Sequence, residues 1–500
     1  MNDLLGIDIG TTHCKAAVFA EDGGCMALAL RPTRIGKDRA GYDAYDPYEL
    51  WGTVESVVSE VVERAGRPIG AVGVSSMAET GLLLDRRTGE PVTAFIPWFD
   101  RRAEAEAEEL AGLLDPAAQF RKTGLRPSFK YGLPKLRWLQ KRDAALLSGT
   151  VWLSASDYIA YRLTGEIATD YTLAARTYAF LIDGKRWDEE TLREAGFDPA
   201  LFPDALPSGC PVGALRIGTW SRHGLKAGTP VAIAGHDHLC AALGAGSWQD
   251  GTMFNSVGTA ETIVGTMPEK PLGNEEYASG LTFGRHIVPD RLFWMGSLPA
   301  SGGSVEWARK LLADPALSYE DVRRLLAEAP DRPTGILYFP YLSGAGAPKP
   351  DPGVKAAFLG LSAAHGRPDL LRSVLEGVCF QMRAILEVGR SLPEFGHAAD
   401  SLAVVGGGTK NEHWMQIKAD VFGMTLRVPR NQEAALAGAA MAAAIGCGLY
   451  ADVADAMKRF GNEAVRRYDA RPGIREAYER VYTERFLPLA DMMERWKWKG

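Results

Sequence analysis

Two segments of the chain share one pattern, in which apolar strands flank a turn of glycine and threonine. Apolar positions alternate on both sides of the turn at residues 10–12 within segment 5–19, and residues 253–265 repeat the pattern around 258–259. Small turn residues let backbone amides and hydroxyls approach an anion closely. One such turn is equally typical of an ordinary hairpin. Two of them predict a duplicated fold that holds a nucleotide between its halves.

Between and beyond these hairpins, short apolar runs alternate with amphipathic stretches. Strands are predicted at 25–31, 69–75, 81–85, 231–235 and 401–405, and helices at 46–62, 301–312, 368–392 and 412–422. This alternation predicts an α/β fold with parallel strand pairing and helices on the sheet faces. Since 500 residues exceed what one core usually holds, we predict two domains, residues 1–245 and 246–500.

The bulk composition excludes several classes of protein. A net charge of -6 and a pI near 5.9 disfavour nucleic-acid binding. The uncharged stretch 434–450 is short for a bilayer span and rich in small residues, so a buried helix and no membrane partner are predicted.

Six scattered cysteines without a CxxC pair fit thiols in a reducing compartment. Because the chain opens directly on a core strand, a cytoplasmic protein is predicted.

Two aspartates stand at positions suited to phosphate chemistry. Asp8 leads into the first turn, where a carboxylate is reasonable if a divalent metal lies between it and a phosphate. Asp237 stands where a strand meets a helix, as either a helix cap or a base that deprotonates an attacking hydroxyl. His236 and His238 are predicted to flank it on opposite sides as hydrogen-bonding groups, with His238 facing substrate.

The turn at residues 406–411 leaves a strand and opens a helix, so its free amides point at whatever binds there. An ordinary glycine-rich strand-to-helix turn is equally consistent with it. It is not a dinucleotide fingerprint, because Asn411 stands where glycine or alanine is required. A nicotinamide dehydrogenase is therefore disfavoured, and the phosphate loop G-x-x-x-x-G-K-[ST] is also missing from the chain.

A set of fixed positions in the second half resembles the FGGY family of carbohydrate kinases. The most specific part is Ala356-x-Phe358-x-Gly360-Leu361, followed after seven residues by Asp369-Leu-x-x-Ser373-Val-Leu-Glu376-Gly377. Further agreement lies at Gly406-Gly-Gly, Trp414, Gln416, Ala419-Asp420, Gly423, Pro429-x-x-x-Glu433 and Ala437-Gly-Ala-Ala440, and a looser match at Lys135-Leu-x-Trp138-Leu139. The resemblance spans nearly the whole chain.

This resemblance implies two ribonuclease-H-like, actin-like ATPase domains around a nucleotide cleft, with ATP as donor, Mg²⁺, and a hydroxyl of a sugar or polyol as acceptor. By matching position, Asp237 would be the base and Asp8 would bind the metal, directly or through water. Phosphates and nucleotide would contact Thr11, Thr12, Lys15, Gly258, Thr259, Gly302, Glu306, Gly407, Gly408 and Asn411. The acceptor would contact Met77, Ala78, Glu79, Trp98, Asp100 and His238.

The acceptor motif departs from both of the nearest patterns in the family. Xylulokinases carry Met-His where this chain has Met77-Ala78, and glycerol kinases carry Arg-Glu-Thr where it has Ala78-Glu79-Thr80. The missing arginine removes a fork that would hold two hydroxyls. We therefore predict an ATP-dependent kinase for a ketose such as a pentulose, with a polyol kinase or a non-kinase actin-like ATPase as alternatives.

Two further points stay open at this stage. Trp98, Glu79 and Asp100 would form one apolar wall and two hydroxyl-accepting carboxylates, or else a core tryptophan and two solvated acids. A homodimer is one assembly that the sequence allows.

Overall fold

The computed structural model describes residues 3–216, 225–395, 399–461 and 464–495. The strands of the first half are β1 (Asp3–Ile9), β2 (His13–Phe19), β3 (Cys25–Pro32), β4 (Gly36–Lys37), β5 (Asp43–Ala44), β6 (Ile69–Ser76), β7 (Gly81–Asp85), β8 (Thr150–Ser154), β9 (Ala168–Asp170), β10 (Phe180–Leu181), β11 (Arg186–Trp187), β12 (Asp204–Leu206), β13 (Pro211–Ala214) and β14 (Pro230–His236). Its helices are α1 (Pro47–Ala65), α2 (Glu104–Leu113), α3 (Pro116–Thr123), α4 (Gly132–Arg142), α5 (Ala155–Thr164), α6 (Tyr171–Ala174), α7 (Glu189–Glu194) and α8 (Asp237–Gly244).

The second half follows the same plan of strands and helices. Its strands are β15 (Met253–Val257), β16 (Glu261–Pro268), β17 (Thr282–Arg285), β18 (Arg291–Leu298), β19 (Leu337–Phe339), β20 (Ala357–Leu359), β21 (Ser401–Val405), β22 (Thr425–Pro429) and β23 (Ala464–Tyr468). Its helices are α9 (Asn274–Ala278), α10 (Gly302–Leu312), α11 (Tyr319–Glu328), α12 (Arg367–Arg390), α13 (Glu412–Phe422), α14 (Ala434–Gly446), α15 (Val453–Phe460), α16 (Pro472–Val481) and α17 (Leu487–Arg495). The predicted strands and helices are confirmed to within a few residues.

The two large sheets have the same topology. The six-stranded sheet runs β3-β2-β1-β6-β14-β13, and six strands of the seven-stranded sheet run β18-β16-β15-β21-β22-β23, with β17 added beside β18. In each, the two strands after the central hairpin strand pair in parallel and the rest pair antiparallel. The predicted duplication is confirmed.

The predicted parallel pairing is confirmed for the central strands of both large sheets, whereas the strands of the two predicted hairpins pair antiparallel, so both sheets are mixed. The physical reason is the length of the connections. A turn of a few residues, such as the one between β1 and β2, can only join antiparallel strands, whereas parallel strands need a crossover of a dozen or more residues.

One helix joins the two halves. The stretch predicted as a buried helix forms α14, which packs against α8 and against β1 and β6 of the first sheet. The approach of α14 to α8 is so close that a Cβ at Gly438 would lie 1.8 Å from the Cys240 carbonyl oxygen. Within the described ranges, no helix has the length and apolar character that crossing a membrane requires.

Candidate functional site

The first hairpin holds its turn by backbone hydrogen bonds. The Gly10 amide donates to the His13 carbonyl oxygen at 3.0 Å, and the Thr33 amide donates to the Thr12 carbonyl oxygen at 2.9 Å. The Thr33 hydroxyl donates to the Gly10 carbonyl oxygen at 2.8 Å. Because these carbonyls are engaged within the turn, Thr11 is left half-buried and Thr12 exposed at its apex. This is the arrangement that an anion-binding turn needs.

Asp8 and Asp237 lie at the carboxyl ends of β1 and β14, with β6 between these two parallel strands. The Ser75 hydroxyl donates to Oδ1 of Asp8 at 3.0 Å, and the His238 amide donates to Oδ1 of Asp237 at 2.7 Å. Burial raises the pKa of both carboxyls, and the charge of Asp237 raises that of Asp8 further. Two neighbouring carboxylates whose ionisation is opposed by burial form a donor set that fits a hard divalent cation.

His236 and His238 were predicted on opposite sides of Asp237, and this was wrong. Their rings meet edge to face at 5.3 Å, and a nitrogen of each ring lies within 4.8 Å of the other and of an Asp237 oxygen. The chain changes from strand to helix between the two histidines, so the alternation of a strand no longer separates their side chains. Burial lowers the pKa of both imidazoles, that of His238 to about 4, so both rings are neutral at pH 7.

The predicted acceptor wall touches the first hairpin directly. The indole N–H of Trp98 donates to Oγ1 of Thr11 at 2.9 Å, and the same hydroxyl lies 3.6 Å from the Met77 sulfur. Ala78 is buried beside Met77, whereas Trp98 is only partly buried. A residue assigned to the acceptor and one assigned to phosphate are therefore in direct contact.

Glu79 is held by two cations from distant parts of the chain. Nε and Nη2 of Arg176 both donate to its Oε1, at 2.9 and 2.5 Å, and Lys135 Nζ donates to its carbonyl oxygen at 2.6 Å. Nothing in the sequence identified Arg176 as a candidate residue, and Lys135 was identified only as a match to the family pattern. A signal existed for Lys135, since it is a lysine between the apolar positions Leu133 and Leu136 of an otherwise buried helix face.

The Asp100 carboxylate is buried, and both of its oxygens accept hydrogen bonds. Arg102 donates through Nε to its Oδ1 at 2.7 Å and through Nη2 to its Oδ2 at 3.0 Å, and Asp100 is only 6% exposed. The alternative of a solvated carboxylate is therefore wrong at this position. The role of Asp100 in acceptor binding stays a prediction, with both of its oxygens already accepting.

The second hairpin supports the start of α10. The Gly258 amide closes the turn on the Ala260 carbonyl oxygen at 3.0 Å, and the amides of Gly302 and Gly303 donate to the carbonyl oxygens of Gly258 and Thr259 at 3.1 and 3.0 Å. A Cβ at Gly302 would lie 2.4 Å from the Gly258 oxygen. The hairpin and α10 thus form one rigid unit.

The remaining predicted nucleotide residues lie in different surroundings. Glu306 pairs with Arg309 at 2.7 Å on the half-exposed side of α10. The glycines after β21 form a 3-10 turn, Gly407–Lys410, and Asn411 Oδ1 caps α13 by accepting from the Trp414 amide at 3.1 Å.

Gly407 and Gly408 differ in their surroundings. A Cβ at Gly407 would meet no heavy atom within 4 Å, whereas one at Gly408 would lie 2.3 Å from Val257 of the second hairpin. Lys15 pairs with Glu433, just before α14, at 2.6 Å. The nucleotide roles of all these residues stay predictions.

Comparison with protein-family models identifies both halves of the chain. The N-terminal domain of the FGGY family of carbohydrate kinases matches residues 4–244, and its C-terminal domain matches residues 253–447. The chain belongs to the FGGY family of carbohydrate kinases. It is thus a phosphotransferase with an alcohol acceptor, and ATP is the donor that the family implies.

Xylulose kinases and glycerol kinases are both among the proteins that this FGGY kinase is similar to. It is 27% identical to a xylulose kinase of Bacillus subtilis (strain 168), over 97% of each chain, and 30% identical to a glycerol kinase of Trichlorobacter lovleyi, over 90% of this chain and 91% of the relative. Among solved structures, a xylulose kinase from Rhodospirillum rubrum is similar with a TM-score of 0.88 at 28% identity, covering 99% of each chain. A Plasmodium falciparum glycerol kinase shares the fold at 21% identity, with a TM-score of 0.86 and 98% of each chain covered.

Proposed function

We propose that this FGGY kinase transfers the γ-phosphate of ATP to a hydroxyl of a ketose such as a pentulose. The observation that carries the proposal is the surroundings of Asp237, a partly buried carboxylate at the start of α8 whose ionisation is opposed by the charge of Glu79 and which in turn opposes ionisation of Asp8. Similarity to xylulose kinases over nearly the whole chain supports a ketose as acceptor.

In this proposal Asp237 is the general base. Its carboxylate accepts the proton of the acceptor hydroxyl while the acceptor oxygen forms a bond to the γ-phosphorus and the bond from that phosphorus to the bridging oxygen of ADP breaks. The raised pKa brings the carboxyl closer to the operating pH, which favours proton transfer. The backbone amide of His238 fixes Oδ1 of this carboxylate by donating to it at 2.7 Å, and Nε2 of the neutral His236 lies 3.3 Å from the same oxygen.

Asp8 would hold a magnesium ion, with Ser75 fixing its carboxylate. When bound, such an ion neutralises the charge on the phosphates. The chain's own contribution is to place the turn hydroxyls of Thr11 and Thr12 beside Asp8 and to fix Trp98 on Thr11. Acceptor and donor then meet in a shared, partly dry space, where alignment supplies much of the rate enhancement.

A polyol kinase is the second candidate. It is favoured by the 30% identity to a glycerol kinase and by Glu79-Thr80, which this chain has in common with the Arg-Glu-Thr pattern of glycerol kinases. It is disfavoured by the buried alanine at position 78, which provides no guanidinium fork.

ADP release against a panel of ketopentoses, ketohexoses, polyols and sugar acids tests the proposal. We expect kcat/KM for one ketose to exceed that for glycerol by at least about tenfold, the effect of roughly one lost hydrogen bond. Asp237→Asn is the control for contaminating kinases. A polyol as best acceptor would favour the second candidate, and acceptor-independent ATP hydrolysis would refute both.

We also propose a domain boundary near residue 245, because α8 ends at Gly244 and the second sheet begins at Met253. A homodimer and a cytoplasmic location stay predictions.

A further inference from the structure

Glu79 is held in a backbone conformation that non-glycine residues rarely adopt. Its φ is 60°, in the left-handed region, which costs free energy unless the surroundings impose it. Lys135 Nζ donates to two backbone carbonyl oxygens, that of Glu79 at 2.6 Å and that of Ile96 at 3.3 Å. The buried amino group of Lys135, whose pKa burial lowers to about 7, thus fixes the backbone that carries the Glu79 side chain.

Arg176 fixes the side chain of the same residue. Its guanidinium is only 4% exposed, lies 5.5 Å from the centre of the Tyr131 ring and donates twice to Oε1 of Glu79. Tyr131 in turn stacks on Tyr178 at 5.9 Å. The fork is therefore held by an aromatic pair, which leaves it little freedom to follow a mobile carboxylate.

The other oxygen of Glu79 remains open. Both arginine donors converge on Oε1, and no residue in the described part of the chain donates to Oε2. The charge of Glu79 acts on both Asp237 and His238, so this carboxylate faces the groups around the proposed base. An accepting oxygen so placed suits a hydroxyl of the acceptor.

Glu79 and Arg176 both line a small cavity of about 20 Å³, together with Asp157 and Trp152 among others. Two buried polar atoms in its wall, Nη1 of Arg176 and Oδ1 of Asp157, have no hydrogen-bond partner among the described residues. The volume is that of roughly one water molecule. A water molecule there would give Arg176 and Asp157 the partners that these two atoms lack.

We propose that Arg176 is a positioning residue for the acceptor: it aims Oε2 of Glu79 at an acceptor hydroxyl. It does so from a segment 97 residues further along the chain. This inference rests on the proposed function, since it assigns Glu79 to the acceptor. It predicts that acceptor affinity depends on the fork of Arg176 and not only on its charge.

The test compares Arg176→Met and Arg176→Lys with Arg372→Met. Arg372 is a matched control because it is 3% exposed and paired with the buried Glu376 at 3.1 Å, within α12 of the other half. We expect Arg176→Met to raise the acceptor KM about 10- to 100-fold, the loss of one charged hydrogen-bonded contact. The KM for ATP should change less than about threefold, because the proposal assigns Glu79 to the acceptor and not to the nucleotide. Arg176→Lys should restore less than half of the lost affinity.

A purely structural role predicts a different result. Arg176→Met would then lower Tm as Arg372→Met does and leave the acceptor KM unchanged, which would overturn the proposal. Glu79→Gln combined with Arg176→Met should be no worse than the poorer single variant, whereas additive losses would also refute the coupling.

Hydrogen exchange of the peptide covering residues 77–81 gives a readout that does not depend on turnover. Exchange there should be faster in Arg176→Lys than in wild type and in Arg372→Met, and unchanged exchange would contradict the proposal. If the wild-type enzyme preferred a polyol to every ketose, the proposed ketose acceptor would be refuted but the role of Arg176 would not. The acceptor KM and the hydrogen exchange can both be measured with whichever acceptor the enzyme uses.

Discussion

The two hairpins occupy equivalent places in two sheets of the same topology, yet their charged residues are arranged differently. At the first, the charge of Asp237 acts on Asp8, and among the described residues the Ser75 hydroxyl alone donates to the Asp8 carboxyl. At the second, the acid is Glu261, which is fully buried and bonded to both Lys418 and Ser301. One hairpin thus leaves a carboxylate free for an external cation, and the other compensates its carboxylate inside the protein.

This difference indicates a division of work within a duplicated fold. The first hairpin contributes charge to the site, while the second contributes a rigid backbone onto which α10 is bonded. A repeated topology therefore does not imply a repeated chemistry. The variants below separate these two roles, beginning with the largest expected effect.

Asp237→Asn should abolish turnover almost completely, by about 10³-fold or more, because it removes the proposed base but keeps the size of the side chain. ATP affinity, measured by calorimetry, should stay within about threefold of wild type. If turnover were close to normal, Asp237 would be a residue at the start of a helix and no more.

Asp8→Asn and Lys418→Met should have opposite signatures. Asp8→Asn should lower kcat about 10²-fold, the loss of one preorganised charge. It should also raise Tm at pH 8, because burial and Asp237 disfavour the ionised form of Asp8. Lys418→Met leaves Glu261 buried without its cation and should destabilise the fold by about 3–5 kcal/mol.

Thermal unfolding and steady-state kinetics of both variants measure this contrast. A Lys418→Met variant with normal Tm and lost activity would place chemistry at the second hairpin.

Gly302→Ala should weaken ATP binding about tenfold, because its Cβ would meet the Gly258 carbonyl oxygen at 2.4 Å and push α10 away from the second hairpin. Gly303→Ala is the matched control, since the nearest heavy atom would lie 3.6 Å away, an ordinary contact. Equal KM values for ATP in the two variants would show that the hairpin and α10 need not stay together.

Glu79→Gln should shift the acid limb of the kcat profile to lower pH. The base must be deprotonated to act, so activity rises as pH passes through its pKa, and the charge of Glu79 raises that pKa. Without the charge, the variant should keep a larger fraction of its maximal kcat at pH 6 than wild type does, measured at saturating acceptor. An unmoved limb would mean that Glu79 and the base do not interact.

Several of these residues were recognisable in the sequence because their signal is local. The strand pattern around Gly10 and Gly258 predicted both hairpins, and Asp8 and Asp237 were identified by their positions at strand ends. Asp100 was identified, but its alternative interpretation as a solvated acid was wrong, because no pattern in the sequence marks Arg102, which donates to both of its oxygens.

The sequence by itself determined the duplicated α/β plan, the places of both hairpins and the family, since strand periodicity, turn composition and fixed motif spacings are properties of short segments. Tertiary structure alone decided which charges are paired and which stay open. Arg176 reaches Glu79, Lys418 reaches Glu261 and Lys15 reaches Glu433 across long stretches of chain. Such pairings depend on how sheets and helices stack, and no local pattern in the chain records that.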